Sequence, residues 1–382
     1  MNALKSKLQP LDSAAIFYYA NIWLVMLVVI GTVSQKFFGL QDSLETYFSA
    51  WFIQPMDMPV YLPSGRLIMA IIMVNLSAKL ILATKWKAKL LGINITHLGV
   101  ILLMIGGVLT AYTTTEGNLA IQEGKSSSTF KDFHQLELAV TDRSPKDHDA
   151  ITTFSDGFFA SGQTFTDSAT PLTFKVTQFY KNCKPTARPK PEQAEQFKQR
   201  ASQVKLKELP TDKNDRNAGG IEVEITGATP ADNGTYLFFN HPQWGTTTIT
   251  DRNGKTYEIT LRPRHYELPF TLKLKDFEKL DHAGTMMARA FSSKVTVTED
   301  GHSEDLKIYM NHPLRRGGYT LYQSSFDQSN PSGIETSVFQ VVHNKGRLMP
   351  YFAVIVITLG LLIHVLIQVP KLLAVKKTPP TL

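Results

Sequence analysis

Two histidines sit where a histidine is costly. His97 lies in the apolar stretch Gly92–Tyr112 and His364 in the apolar stretch Pro350–Val369. Each stretch has close to the ~20 apolar residues that cross a ~30 Å hydrocarbon layer, so each imidazole falls inside a bilayer. Ionisable groups there are expensive and mark functional sites by default. At ~1.5 Å per helical residue both fall roughly 8–9 Å inside the same boundary, a matched depth. Their company is small or polar. Gly360, His364 and Gln368 recur every four residues, and Gly99, Gly106 and Gly107 admit a close helix or a flat ligand. Neutral imidazole is a common axial ligand of haem iron. Three chemistries stay open: ligation of a metal or haem, a hydrogen bond to a neighbouring helix or headgroup, and proton relay. The last is disfavoured, because the spans hold no Asp or Glu to pass a proton on.

A second constellation lies late in the chain: Asn311-His312-Pro313-Leu314, then Gly317-Gly318, then Tyr319 to Ser325 with Gln323 inside it. These residues read as a turn followed by a strand. Asn before His-Pro suits a turn, and glycines supply positive φ. Asn311, His312 and Gln323 are candidate polar contacts to a partner or haem; the alternative is a rigid corner that sets strand register.

The elements that must position these residues are uneven in composition. A mean hydropathy of −0.10 looks soluble, but the apolar residues concentrate in four blocks. The expected organisation is a first segment 1–13, a span 14–33, a loop 34–66, a span 67–84, a turn 85–91 and a span 92–112. A β-rich domain 113–349, a span 350–369 and a tail 370–382 follow. Spans this short must be helices, which satisfy their own backbone groups. The first has no cleavage site and is longer than a signal-peptide core, so it reads as an anchor. Lys5, Lys7, Lys85, Lys87, Lys89, Lys371, Lys376 and Lys377 fall in three short segments that hold one acid, Asp12. The positive-inside rule then puts both termini in the cytoplasm and the large domain in a bacterial periplasm. Those eight lysines less one acid equal the formal charge of +7. The basic pI therefore reflects topology, and nucleic-acid binding is not indicated.

Between the spans, short alternating segments rich in β-branched and aromatic residues predict strands, among them 172–179, 220–226, 234–240, 294–300, 305–311, 319–325 and 336–342. Asp300-Gly301 predicts a hairpin turn. The fold class is a membrane protein with four transmembrane α-helices and a large exported antiparallel β-rich domain, a sandwich or open barrel. Residues 184–219 are rich in Lys, Pro, Gln and Asp and read as a mobile insertion with a surface helix around Pro191–Val204. The single cysteine, Cys183, excludes an internal disulfide framework and reads as a buried residue or a redox group lacking a resolving partner. No phosphate loop, zinc helix, nucleophile elbow or C-x-x-C-H motif is present.

The string N-H-P-L…G-G-Y-x-L-Y-Q-S-S resembles the ResB family, also called CcsB, of system II cytochrome c biogenesis. The resemblance extends to the layout of three spans, a large domain and a last span, to Thr96-His97-Leu98-Gly99, and to Gly360-Leu361-Leu362-Ile363-His364. Residues 140–300 add only β-rich character. The resemblance implies a subunit of a membrane cytochrome c synthetase that binds haem b without covalent attachment. It implies a ResC/CcsA-type partner carrying a W-W-D motif, apocytochrome c as the acceptor, and periplasmic thiol reductants. The four tryptophans here form no such cluster, so the haem-lyase attachment site is expected on the partner and no catalytic residue on this chain. By the resemblance His97 is the axial ligand of a membrane haem, paired with a partner histidine, while His364 ligates, bonds a propionate or packs. A membrane-anchored scaffold without haem is the competing reading.

Overall fold

The computed structural model describes residues 9–54, 59–83, 87–189, 196–210, 217–285, 287–327 and 334–375. Lys5, Lys7, Lys85, Lys376 and Lys377, which set the expected orientation, lie outside these. The chain divides into two compact units, residues 1–114 with 343–382, and residues 115–342.

The first unit is helical. Helix α1 spans Ala14–Phe38, α2 Gly65–Ala78, α3 Leu91–Thr113 and α4 Met349–Val375. With the turns flanking α2 and α3, all four are long and apolar enough to cross a membrane. Ser13 caps α1 through its hydroxyl, which accepts from the Ala15 N–H at 3.3 Å, and Gly39, at φ 80°, ends it. The buried Asn75 amide donates to the carbonyls of Leu11 (2.6 Å) and Ser13 (3.0 Å), tying the segment before α1 to α2. A π-turn, Lys79–Ala83, prolongs α2. Between α1 and α2 a two-residue-strand hairpin pairs β1 (Phe52–Ile53) with β2 (Leu62–Pro63). The Trp23 indole donates to the Pro63 carbonyl at 2.8 Å.

Helices α3 and α4 meet along a glycine seam. Gly92, Gly99 and Gly106 repeat every seven residues. A Cβ on Gly92 would lie 2.6 Å from the His364 Cα, one on Gly99 2.6 Å from Ile357, and one on Gly106 2.6 Å from Met349. Gly360 returns the contact against Thr96. Close backbone approach is how helices gain dispersion energy in lipid, where the hydrophobic effect is absent. At one end of the seam the Asn344 side chain meets the Thr110 hydroxyl at 3.3 Å.

The second unit is antiparallel β structure. In chain order it runs β3 (Thr115–Gln122), β4 (Ser126–Asp142), β5 (Ala150–Ser155), β6 (Thr164–Asp167), β7 (Thr170–Tyr180) and β8 (Cys183–Ala187). Then come β9 (Val204–Glu208), β10 (Gly220–Thr226), β11 (Gly234–Phe239), β12 (Thr247–Thr250), β13 (Thr256–Asp281) and β14 (Ala288–Glu299). The last are β15 (His302–Tyr309), β16 (Leu314–Arg316), β17 (Tyr319–Asp327) and β18 (Thr336–His343). The main sheet follows the order β15-β14-β13-β4-β3-β18-β17-β16, with β12 on β13 and β5 on β4. A second sheet has the order β11-β10-β7-β6, and β8 pairs with β9. The main sheet is an open one, not a closed barrel.

Two cores share β4 and β13. One collects Leu138, Phe154, Phe174, Ile221, Val223 and Ile259; the other collects Phe130, Phe270, Leu272, Val295, Leu321 and Phe339. On β13 the buried positions are odd at Tyr257, Ile259 and Leu261 but even at Leu268, Phe270, Leu272 and Leu274. The pairing register shifts between Pro263 and His265 and again between Glu267 and Leu272. These bulges flip the strand, so one continuous ribbon presents opposite faces to two cores. At the crossover the buried Glu137 accepts from the Arg262 Nε at 2.9 Å, with His265 Nδ1 at 3.6 Å.

The insertion expected at 184–219 is structured where described. Strands β8 and β9 form a hairpin over a core of Cys183, Ala201, Leu206 and Leu237, backed by Phe197, Phe239 and Trp244. In place of the expected surface helix, Gln199–Ser202 forms a 3-10 turn; residues 190–195 lie outside the described residues. Leu206 and Cys183 are few and widely spaced in sequence, but each finds its apolar partners from β11 and the loop after it.

Candidate functional site

Helix α3 presents two different faces. The glycine seam meets α4. His97 is five residues beyond Gly92, about 140° around the helix at ~100° per residue, and so points away from that seam. It shares its side of α3 with Asn94 and Met104, and Met104 packs against the α1–α2 core of Leu27, Ile68 and Ile72. Lys79 stands at the start of the π-turn that prolongs α2. His364 lies instead on the α4 face that meets α3, its backbone opposite Gly92.

The matched depth expected of the two imidazoles is therefore corrected. His364 is level with Gly92 and His97 is five residues further along, an axial offset of about 7–8 Å. The reason lies in the helix ends: α3 begins at Leu91, whereas α4 runs through Pro370 to Val375. The two rings stand on different sides of α3 and do not form a pair within this chain.

They share one property. Among the described residues, three buried side-chain polar atoms lack a hydrogen-bond partner: Nδ1 of His97, Nδ1 of His364 and the Thr114 hydroxyl. Each ring is only partly buried while its Nδ1 is enclosed. Buried polar atoms are ordinarily satisfied, so such orphans need a reason. The enclosed Nδ1 is out of reach of any outside group, so it is the exposed remainder of each ring that could meet an electrophile such as haem iron.

The late motif builds structure. Tyr309 and His312 close a tight turn, with the His312 N–H donating to the Tyr309 carbonyl at 2.9 Å, their rings stacked at 4.1 Å, and Asn311 at φ 64°. Strands β15 and β16 are the two edges of the main sheet, so this corner carries the chain from one edge to the other and holds the sheet curled. Gly317 and Gly318, at φ 57° and 83°, make the two-residue turn into β17, where Arg316 pairs with Tyr319. Gln323 serves the core: its amide accepts from the Ser293 hydroxyl at 2.6 Å and donates to Ser337 at 2.9 Å, and both serines are fully buried. It thus clamps β14, β17 and β18 together. Asn311 and His312 remain exposed, and Gln323 is engaged internally.

A pocket that the sequence did not reveal lies between the β8–β9 hairpin and the loop after β11. Arg200, Gln203, Phe239, His241, Gln243 and Trp244 line a cavity of about 440 Å³. Its residues come from three separate stretches, so no motif marks it; the nearest signal was the pairing of His241 and Trp244 just past a strand.

Helices of this kind and a single large β-domain define a membrane protein with one folded domain between its third and fourth spans. Residues 239–337 match the ResB-like family, so the chain is ResB-like over this region, which includes the corner, the glycine turn and the Gln323 clamp. Protein NrfI of Wolinella succinogenes is 29% identical over 111 residues, a stretch that covers 28% of this chain and 12% of that protein. These matches support a role in cytochrome c biogenesis.

Proposed function

We propose that this chain is the haem-holding membrane subunit of a cytochrome c synthetase. In this reading the β-domain stands on the periplasmic side of a bacterial inner membrane, the partner chain lies in that membrane, and both termini are in the cytoplasm. The observation that carries the proposal is the partly exposed imidazole of His97 on a membrane-crossing helix, on the side away from the α3–α4 seam. Haem is the cargo, bound through its iron by His97. Because His364 stands on another side of α3, the second axial ligand comes from a ResC/CcsA-type partner. Covalent attachment to apocytochrome c takes place on the partner, and the β-domain presents the acceptor there. The roles of Asn311, His312 and Gln323 in the corner and clamp support a scaffolding task for that domain.

The test is an absorption spectrum of the complex purified from haem-replete cells. A b-type Soret band is expected, lost in His97→Ala with the complex intact and retained in His364→Ala. A wild-type complex without haem would overturn the proposal and favour a haem-free scaffold.

A further inference from the structure

We propose that the pocket beside Trp244 binds a porphyrin through its flat face and its free carboxylates. The walls are aromatic. The Phe239 and His241 rings lie nearly parallel, at 11° with centroids 6.0 Å apart, and the Trp244 ring meets Phe239 at 75° and 5.6 Å. Two flat surfaces thus meet close to a right angle, and a conjugated macrocycle can stack on one with its edge against the other. The edge chemistry is cationic. The Arg200 guanidinium lies 4.8 Å over the Trp244 ring and donates through Nη1 to the Trp244 carbonyl. A guanidinium has five N–H donors, so others remain for a carboxylate. Gln203 and Gln243 add amides, and among the described residues no acidic side chain lines the cavity. On the neighbouring hairpin Lys184 stands directly across from Lys207, a like-charge pair that costs stability and adds to the positive potential that draws in an anion. The volume is in the range of small-molecule sites.

A peptide added as a strand fits less well. The edge of β11 is already occupied, by the Lys198 N–H donating to the Thr235 carbonyl at 2.9 Å and the Trp244 indole donating to Leu237 at 3.3 Å. Iron is not needed for the fit. His241 Nδ1 already accepts the Gln243 N–H at 3.3 Å. The choice of a porphyrin rests on the haem reading above, but the site is separate from His97.

The experiment uses the full chain in nanodiscs carrying His97→Ala, titrated with metal-free protoporphyrin IX and read by porphyrin fluorescence against empty nanodiscs. Saturable binding is expected, weakened at least about tenfold by Arg200→Gln and by Trp244→Leu. Protoporphyrin dimethyl ester should bind about tenfold more weakly than the free acid, a difference that Arg200→Gln abolishes. Trp244→Phe keeps the apolar packing and should still weaken binding, with Cys183 remaining closed to thiol reagents as a check on folding. Absence of saturable binding, or binding indifferent to Arg200→Gln and Trp244→Phe, overturns the inference. A His97-dependent Soret band with no porphyrin at the pocket would sink this site alone; porphyrin at the pocket with no such band would sink the membrane-haem reading alone.

Discussion

Alanine at Gly92 should pry α3 from α4. Its Cβ would lie 2.6 Å from the His364 Cα and 2.7 Å from the Gly360 carbonyl oxygen, where ordinary contact begins at 3.4 Å. Both obstacles are backbone atoms, which cannot rotate away. The His364 backbone nitrogen is nearer still, so the helices must part by about 1 Å, a gap that forfeits a quarter to a half of each dispersion contact along the seam. Overpacking of this kind costs about 1–3 kcal/mol. Gly107 is the control. It is adjacent to the seam in sequence, but nothing lies within 4 Å of its Cβ position, and alanine there should be neutral or gain up to ~1 kcal/mol of helix propensity. Thermal loss of monodisperse protein in detergent, followed by size-exclusion chromatography, reads the difference. The expected order of damage is Gly92→Ala, then Gly99→Ala, which also meets the Ile357 backbone nitrogen at 2.9 Å, then Gly106→Ala, where the Met349 side chain can give, with Gly107→Ala last. Equal midpoints for Gly92→Ala and Gly107→Ala would refute the close-contact account.

Three further outcomes are expected. Gln323→Leu leaves the buried Ser293 and Ser337 hydroxyls without their amide and should cost about 1–3 kcal/mol in urea unfolding, while Gln323→Glu, which restores an acceptor for Ser293, should cost less; equal losses would count against the clamp. Cys183 is 2% exposed and burial pushes its thiol up to about 12, so a thiol reagent should label it only after denaturation, and rapid labelling of native protein would place it elsewhere. Burial pushes the Glu137 carboxyl up, but hydrogen bonds from His265 and Arg262 outweigh it and hold the group below its ordinary 4.5. A carboxyl lowered in the folded state stabilises above that ordinary value and loses the contribution as pH falls through the lowered one. The urea midpoint of wild type should therefore exceed that of Glu137→Gln at neutral pH and converge with it in acid, and a gap constant with pH would contradict this.

The helical unit was legible because its signal is compositional: four long apolar runs admit few other solutions. The short strands β10, β15 and β18 were legible for a similar reason, since each alternates within itself. Strand β13 was not read as one element because its buried positions change parity at the bulges, and alternation that reverses looks like two strands and a loop. The β8–β9 hairpin was hidden because its partners, Leu237, Phe239 and Trp244, come from a distant stretch, and a Lys- and Pro-rich segment discloses nothing of what it will meet. The site was half legible. The presence of His97 and His364 in the spans could be read directly, but which side of a helix each occupies depends on where the glycines place the neighbouring helix, and that is a property of the pair. The late motif was visible as a string; that it joins the two edges of a curled sheet needed the strand order.

The position of β3 beside β18 has a consequence in time. The first and last strands of the β-domain are hydrogen-bonded neighbours, so the main sheet cannot be completed until nearly the whole domain has been made. At ~5–20 residues per second, the roughly 200 residues between them take about 10–40 s to synthesise. Throughout that interval β3 can pair with β4 on one side but keeps its other edge open. Pairings of such long sequence separation also form slowly once available. Newly made chains should therefore pass through a lengthy stage of protease sensitivity that ends abruptly when residues 336–343 arrive.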